Sequence, residues 1–309
     1  MKPDILLMER MMPRIEKALN DAYMVHYLPD VPALPAIAPR IRAVVTGGGT
    51  GVPPDIMAAL PQLGLIAING IGTDAVDLNV ARQRNIHVTT TPGVLTDDVA
   101  DMAIALLLAL SRGIVRGDRY VRDGKWPQGA PIPLGHRVTG RVMGIVGMGH
   151  VGRAIARRAE AFGMRVAYND VREMTDVGFA FHADLEDLAR SSEILVVAAA
   201  GGAGSRGIVN AKVLEALGPE GLLINVARGS VVDEDALVAA LQQERIGGAG
   251  LDVFAHEPDV PPALLGMDNV VLQPHRASAT VETRLAMGEM VLKNVAAFYA
   301  GEKLLSPVV

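Results

Sequence analysis

The sequence predicts an α/β protein built from two doubly wound parallel sheets. Short runs rich in Val, Ile, Leu and Ala alternate along the chain with segments of helical periodicity. Gly and Pro cluster between these runs, where turns are expected. Half of the 309 residues (50%) are hydrophobic and only 4% are aromatic. This composition is typical of parallel strands that are covered by helices on both faces.

The first hundred residues read as one small open α/β unit. Strands are predicted at residues 4–8, 24–27, 43–46, 65–68 and 87–89. Helices are predicted at residues 14–20, 54–60 and 76–84. A longer helix follows at 96–112, and the acids Asp97 and Asp98 lie in its first turn, where the helix dipole favours them.

A second alternating unit begins at residue 142. Its predicted strands are 142–146, 165–169, 194–198, 222–226, 248–251 and 270–273, and helices are expected between them. A final amphipathic helix is predicted over 280–300. The stretch 124–140, which contains the single tryptophan Trp126, is rich in Gly and Pro and is interpreted as an arm or loop.

The most specific local pattern runs from Val142 to Asp170. A short apolar strand leads into a G-x-G-x-x-G turn, then a helix over 150–162, then a second strand that ends in an acid. In this pattern Gly147 permits the sharp turn, Gly149 lets a pyrophosphate approach the backbone, and Gly152 lets the helix pack against the strand. The free N–H groups and the positive dipole end of the helix favour phosphate. The order of these parts predicts a dinucleotide-binding site, and the alternative is an ordinary βαβ turn with a surface Asp.

The bulk properties disfavour several other classes of protein. The net charge is −5 and no block of Lys and Arg occurs, so a nucleic-acid surface is not expected. There are no cysteines, which excludes disulfides and thiolate sites and is compatible with a cytoplasmic location. The histidines show no ligand spacing, so no metal site is expected. The longest apolar run, residues 102–110, is far shorter than the ~20 residues of a membrane span.

Three segments after the late strands carry candidate catalytic groups. Arg228 follows a strand and could bind a carboxylate through two hydrogen bonds, or could be a surface arginine paired with Asp233 or Glu234. Glu257 could orient an imidazole, or could be a solvated loop acid. His275 could exchange a proton at neutral pH, or could cap a turn.

Together these groups match the needs of one reaction. Reduction of a 2-oxo acid requires an anchor for the carboxylate, a hydride donor and a general acid at the carbonyl oxygen. Arg228, a nicotinamide and His275 would supply them, and a carboxylate such as Glu257 would stabilise the imidazolium until it gives up its proton.

The sequence resembles the D-isomer-specific 2-hydroxyacid dehydrogenases over essentially its whole length. Within them it looks like the branch of glyoxylate/hydroxypyruvate and hydroxyphenylpyruvate reductases. The matching motifs are Gly147-Met-Gly-His-Val-Gly152, Asn225-Val-Ala-Arg-Gly229 with Val232-Asp-Glu234, Gly250-Leu-Asp-Val-Phe254 with Glu257-Pro258, and Pro274-His275 with Ser278-Ala-Thr280.

The resemblance implies a domain organisation and a set of roles. A Rossmann cofactor domain (97–280) would be inserted in a flavodoxin-like substrate domain (1–96 and 281–309). Arg228, Glu257 and His275 would be catalytic, and with Arg228 and His275 the backbone N–H groups of Gly48, Gly49, Ile71 and Gly72 would bind the substrate. The residues that would contact the cofactor are Gly147, Gly149, His150, Val151, Gly152, Asp170, Arg172, Ala199, Ala200, Ser205, Val226, Ala227, Arg228, Asp252, His275 and Ala277.

The implied reaction is the reduction of a small 2-oxo acid, such as glyoxylate or hydroxypyruvate, to the D-2-hydroxy acid. Asp170 predicts NAD because it would repel the 2′-phosphate of NADP, whereas Arg172 could serve that phosphate, so NADP is the alternative. Ser205 keeps a hydroxyl at a position where Thr is usual in the family.

The resemblance also implies a homodimer, in which the arm reaches over the neighbouring subunit. Trp126 is then either part of a lid near the substrate or an interface residue. Two alternative functions stay open. One is a different substrate on the same fold, namely phosphite, formate or phosphoglycerate. The other is a protein that senses NAD, like the co-repressors that share this fold.

Overall fold

The computed structural model describes residues 2–28 and 34–309. The strands are β1 (Asp4–Leu7), β2 (Met24–Tyr27), β3 (Ala43–Gly47), β4 (Leu65–Asn69), β5 (His87–Thr89), β6 (Val142–Val146), β7 (Arg165–Asn169), β8 (Ala180–Phe181), β9 (Ile194–Val197), β10 (Leu222–Asn225), β11 (Gly248–Leu251) and β12 (Val270–Leu272). The helices are α1 (Pro13–Ala22), α2 (Leu34–Ile37), α3 (Pro54–Ala59), α4 (Leu78–Gln83), α5 (Thr96–Ser111), α6 (Ile114–Arg122), α7 (His150–Ala161), α8 (Leu185–Arg190), α9 (Ala211–Leu217), α10 (Glu234–Gln242), α11 (Pro262–Leu265) and α12 (Val281–Ala300).

The chain divides into two compact units. The first comprises residues 1–95 and 279–309 and is called the terminal unit below, because it contains both ends of the chain. The second comprises residues 96–278 and is called the central unit.

The terminal unit is a parallel sheet with the strand order β2-β1-β3-β4-β5. Its middle strands β3 and β4 are buried along their whole length, which explains their continuous apolar sequences. On one face α12 packs with α1, where Val291 and Val295 join Ile15 and Leu19 in the core. This order, like that of flavodoxin, reverses direction between β1 and β3.

The central unit is a parallel sheet with the strand order β12-β11-β10-β9-β6-β7-β8. The order reverses between β6 and β9, which is the Rossmann arrangement. The apolar side chains of β9 and β10 form the middle of the core, together with those of α9 and α10. The predicted fold class, two doubly wound sheets of Rossmann and flavodoxin type, is confirmed.

Most predicted elements are found within a residue or two of their expected ends. Polar caps fix several helix starts, since the side chains of Asp77, Asp184, Asp233 and Thr280 each accept a backbone N–H of the first turn. Three of the described elements, α2, α6 and β8, lacked a prediction. No residue of α6 is buried in the described part of the chain, and α2 and β8 have only four and two residues.

No helix in the part of the chain covered by residues 2–28 and 34–309 is both long and apolar enough to cross a membrane.

Candidate active site

The glycine-rich turn joins β6 to α7 at the point where the central sheet reverses direction. Gly147 has a φ of +94°, a backbone conformation that favours glycine. Gly149 precedes the first turn of α7, and apart from its chain neighbours no atom of the described residues lies within 4 Å of the position that a Cβ would occupy there. A Cβ at residue 152 would collide with the carbonyl oxygen of Gly147, so the helix lies directly on the turn. His150 and Val151 form the first turn of α7. This open backbone at a helix N-terminus fits the pyrophosphate of a dinucleotide.

The acid at the end of β7 is tied to the same turn. Asp170 accepts the Met148 N–H at 2.7 Å through Oδ2 and the Val171 N–H at 2.7 Å through Oδ1. On the other side Arg153 donates to the Met148 carbonyl at 3.1 Å and binds both oxygens of Asp176 at 2.8 Å. The turn and the segment after β7 therefore form one hydrogen-bonded assembly.

The other predicted cofactor residues follow neighbouring strands of the central sheet. Arg172 is exposed two residues after Asp170. Ala199 and Ala200 follow β9, and the Ser205 hydroxyl donates to the Ala200 carbonyl at 2.7 Å, which closes this loop. The parallel order brings the segments after β6, β7, β9 and β10 to one edge of the sheet.

Asn225, at the end of β10, positions the loop that carries Arg228. The Asn225 side chain is 1% exposed, accepts the Ala227 N–H at 3.0 Å and donates to the Arg228 carbonyl at 3.0 Å. Val226 and Ala227 are buried in this loop. The residues around Asn225 predict no role for it, although a polar residue that ends an apolar strand is a signal for one.

The acids near Arg228 bind backbone groups. Asp233 accepts the Ala236 N–H at 3.0 Å as the cap of α10, and Glu234 accepts the Ala255 N–H at 2.9 Å. The Arg228 guanidinium donates to the Ala227 carbonyl at 2.6 Å. Glu234 therefore connects the start of α10 to the loop that contains Glu257.

Gly229 brings the Arg228 loop against the Glu257 loop. A Cβ at residue 229 would overlap the backbone of Phe254 and Ala255, so only glycine permits this contact. The charge of Arg228 accordingly acts on the Glu257 carboxylate and lowers its pKa.

Glu257 and His275 form a hydrogen-bonded pair. The distance between Glu257 Oε2 and His275 Nδ1 is 2.7 Å, and Oε1 accepts the Phe254 N–H at 3.0 Å. Burial alone would raise the pKa of Glu257, but these hydrogen bonds and the charges of His275 and Arg228 outweigh it, so the pKa lies below its ordinary value. The side chains of His275 and Glu257 are 39% and 31% exposed, so the ring is accessible.

Asp252 fixes the backbone on either side of this histidine. Its side chain is buried (0% exposed) and accepts the N–H groups of Arg276 at 2.7 Å and Ala277 at 2.9 Å. Its carbonyl accepts the His275 N–H at 2.7 Å. His275 itself has a φ of +53°, a strained conformation for a residue with a side chain, which these bonds maintain. Burial raises the pKa of Asp252, and the two N–H groups partly offset this.

The terminal unit brings its two predicted substrate loops together. A Cβ at Gly48 would lie 3.3 Å from the Gly72 carbonyl oxygen, so the loops after β3 and β4 are adjacent. Within residues 2–28 and 34–309, no acceptor takes a hydrogen bond from the N–H groups of Gly48, Gly49, Ile71 or Gly72. The Ile71 side chain is 43% exposed. These loops therefore offer backbone donors to a ligand.

Comparison with known proteins identifies the family of the chain. Residues 104–277 match the model of the NAD-binding domain of D-isomer-specific 2-hydroxyacid dehydrogenases. A 2-ketogluconate reductase from Gluconobacter oxydans is 48% identical over 100% of this chain and 99% of its own. A glyoxylate/hydroxypyruvate reductase from Arabidopsis thaliana is 46% identical over 87% of this chain and 86% of its own. The structure of an NADPH-dependent glyoxylate/hydroxypyruvate reductase from Sinorhizobium meliloti, solved with NADP and malonate, is 41% identical, with a TM-score of 0.94 and coverage of 100% and 97% of the two chains.

Fold, glycine turn and comparisons together define an oxidoreductase that uses a nicotinamide dinucleotide. The chain belongs to the D-isomer-specific 2-hydroxyacid dehydrogenase family, as its motifs predicted, and its relatives include the glyoxylate/hydroxypyruvate reductase branch.

Replacing Glu257 by Gln tests the electrostatics of the pair. Because the pKa of Glu257 is lowered in the folded protein, its ionised form stabilises the fold above the ordinary value of about 4.5, and this contribution is lost as the pH falls through the folded value. We expect Glu257→Gln to lower the melting temperature most at neutral pH, and the difference from the wild type to shrink below about pH 4. Thermal melts over this pH range measure it.

Glu302→Gln is the control for this experiment, because Glu302 is an exposed acid of the terminal unit. Its difference from the wild type should be small at every pH. A Glu257→Gln difference that stays constant with pH would contradict the assigned role of the carboxylate.

Proposed function

We propose that the enzyme reduces a small 2-oxo acid, such as glyoxylate or hydroxypyruvate, to the D-2-hydroxy acid. The observation that carries this proposal is the His275–Glu257 pair, held at 2.7 Å beside the loop of Arg228. The reaction consumes the 2-oxo acid, one reduced nicotinamide cofactor and one proton, and it yields the hydroxy acid and the oxidised cofactor. When bound, the nicotinamide supplies the hydride.

His275 is proposed to supply the proton to the carbonyl oxygen of the substrate. The ionised Glu257 stabilises the imidazolium and occupies Nδ1, which leaves Nε2 to face the substrate. Asp252 contributes by holding the backbone of residues 275–277, so it acts as a positioning residue in this scheme.

Arg228 is proposed to bind the substrate carboxylate and to polarise the adjacent carbonyl, because a planar guanidinium offers two parallel donors. The N–H groups of Gly48, Gly49, Ile71 and Gly72 are proposed as further carboxylate donors. We assign cofactor binding to the central unit and these further substrate contacts to the terminal unit.

His275→Ala should reduce kcat for 2-oxo acid reduction by about 100-fold to 10,000-fold, because a positioned general acid contributes rate enhancements of that order. NADH binding, measured by fluorescence titration, should persist. His87→Ala, which changes an exposed histidine on β5, is the control and should retain wild-type kinetics. Near-normal turnover of His275→Ala would exclude His275 as the proton donor.

The same spectrophotometric assay separates the remaining alternatives. Turnover of phosphite, formate or phosphoglycerate in place of 2-oxo acids would identify a different substrate. Tight NADH binding with negligible turnover of every substrate would indicate an NAD sensor.

We further propose that the enzyme prefers NADH to NADPH. Asp170 is held at the end of β7 by the Met148 and Val171 N–H groups, and a carboxylate there repels a 2′-phosphate. The exposed Arg172 is the group that could attract this phosphate. The relative from Sinorhizobium meliloti is named as NADPH-dependent, so the preference has to be measured on this chain.

Asp170→Asn removes the charge but keeps an oxygen that can accept the Met148 N–H. We expect the wild type to have the higher kcat/KM with NADH, and Asp170→Asn to raise kcat/KM for NADPH several-fold. Arg172→Ala should lower kcat/KM for NADPH and leave that for NADH nearly unchanged. A wild-type preference for NADPH would overturn this proposal.

A homodimer is also proposed, formed through an apolar face of the central unit. Leu134 is 93% exposed and Leu265 is 66% exposed, and both line a groove beside β12 with Val115 of α6. Exposed apolar side chains that cluster in this way mark interaction surfaces. Trp126 in the arm is 69% exposed, which suits a lid residue as well as an interface residue.

Introducing glutamates at Leu134 and Leu265 should convert the dimer into a monomer, because two buried charges per subunit disfavour an apolar interface. Sedimentation velocity measures the change. Leu305→Glu, at an apolar residue of the terminal unit that is 52% exposed, is the control and should leave the dimer intact. A wild-type monomer at micromolar concentration would refute the proposal.

The cytoplasmic location stays a prediction from the lack of cysteine.

A further inference from the structure

Glu9 of the terminal unit lies just after the first strand, and it has no role in the proposed mechanism. Glu9 follows β1, and the register that pairs Leu7 with Val45 places it opposite Gly47. Its carboxylate occupies the space of a side chain at residue 47, since a Cβ there would collide with it. The Thr50 hydroxyl donates to Glu9 Oε2 at 2.5 Å. The acid therefore lies on the loop that contains Gly48 and Gly49.

This carboxylate is not neutralised by a neighbouring cation. Within residues 2–28 and 34–309, no Lys, Arg or His forms an ion pair with Glu9, and Oε1 accepts no hydrogen bond. The adjacent Arg10 binds Glu16 at 3.1 Å and stacks on the ring of Tyr27 at 4.2 Å. Among the residues that the structure describes, Oε1 of Glu9 therefore has no donor.

Asn69 lies on the same face of the sheet as the Glu9 carboxylate. It ends β4 and pairs in register with Gly47, so its side chain points to the side that the Glu9 carboxylate occupies. Asn69 is only 9% exposed, yet its Oδ1 has no hydrogen-bond partner among the described residues. A buried amide oxygen without a donor is uncommon and indicates that a further group donates a hydrogen bond to it.

These groups lie where an open sheet of this order binds ligands. The strand order reverses between β1 and β3. Glu9 and Thr50 follow these two strands at their carboxyl ends. The backbone N–H groups of Gly48 and Gly72, proposed above to bind the substrate carboxylate, belong to the same two loops as Thr50 and Asn69.

We propose that Glu9, held by Thr50 and flanked by Asn69, recognises hydroxyl groups on the tail of the substrate. The inference rests on the proposed function and names the substrate class, namely 2-oxo monocarboxylates with a hydroxylated tail. A carboxylate oxygen that lacks a donor is a strong acceptor for a hydroxyl group. The same negative charge repels a second carboxylate or a phosphate on the tail, so it also excludes 2-oxo diacids.

The test compares kcat/KM for substrates that differ in tail hydroxyls, in the wild type and in Glu9→Ala, Glu9→Gln and Thr50→Val. The pair is hydroxypyruvate with pyruvate, which differ only in the tail hydroxyl. In Glu9→Ala the ratio of the hydroxylated to the plain substrate should fall about tenfold or more, since a polar site discriminates strongly for the hydroxyl that it binds. Thr50→Val should lower the ratio less. Glu302→Gln, which removes an exposed charge from the same unit, is the matched control.

Glu9→Gln supplies a gain of activity that misfolding cannot produce. Without the charge, kcat/KM for 2-oxoglutarate should rise several-fold above the wild type. Equal losses on all substrates in Glu9→Ala would show that Glu9 only shapes the glycine loop, and unchanged ratios would show no role at all; either result overturns this inference alone. A wild-type enzyme that reduces no 2-oxo acid would instead overturn the proposed function.

Discussion

The buried carboxylate of Asp252 is the constraint on which the candidate active site depends. A carboxylate without access to water is costly unless hydrogen-bond donors replace the solvent, and here two backbone N–H groups from residues 276 and 277 do so. The chain must then turn sharply at His275, whose positive φ is the consequence. The imidazole is thereby presented to Glu257 by a backbone that cannot relax without exposing or unpairing a buried charge.

Buried polar side chains also hold the loop backbone at the ends of other strands in the central unit. Asn225 ends β10 and binds both sides of the Arg228 loop, while Glu234 holds the backbone at Ala255. Gly229 allows these two loops to touch. The side chains that are proposed to be catalytic can therefore stay partly exposed, because buried polar neighbours fix the backbone to which they are attached. Rigid support from secondary contacts of this kind is what accurate positioning of catalytic groups requires.

The terminal unit uses a comparable arrangement for a different purpose. A glycine at the end of β3 makes room for an acid that follows β1, so the side chain of one strand fills the place left by its neighbour. In the part of the chain that the structure describes, the N–H groups of Gly48, Gly49, Ile71 and Gly72 on the loops after β3 and β4 have no acceptor. Donors for an anion and an acceptor for a hydroxyl are thus assembled on adjacent loops of a single sheet edge.

The sequence by itself determined the two doubly wound sheets, the glycine turn and the family, because these depend on local periodicity, on glycine at fixed spacing and on four ordered motifs. It also proposed Arg228, Glu257 and His275, but each retained a plausible alternative as an ordinary surface or turn residue. Only the tertiary structure decided that Glu257 contacts His275 across 18 residues of chain and that the acids after Arg228 bind backbone groups. It alone revealed Asn225 and the pair of Glu9 and Gly47, since a contact between residues far apart in the chain leaves no periodic signal in the sequence. Strand order and close backbone approach determine such contacts, and both are properties of the folded sheet.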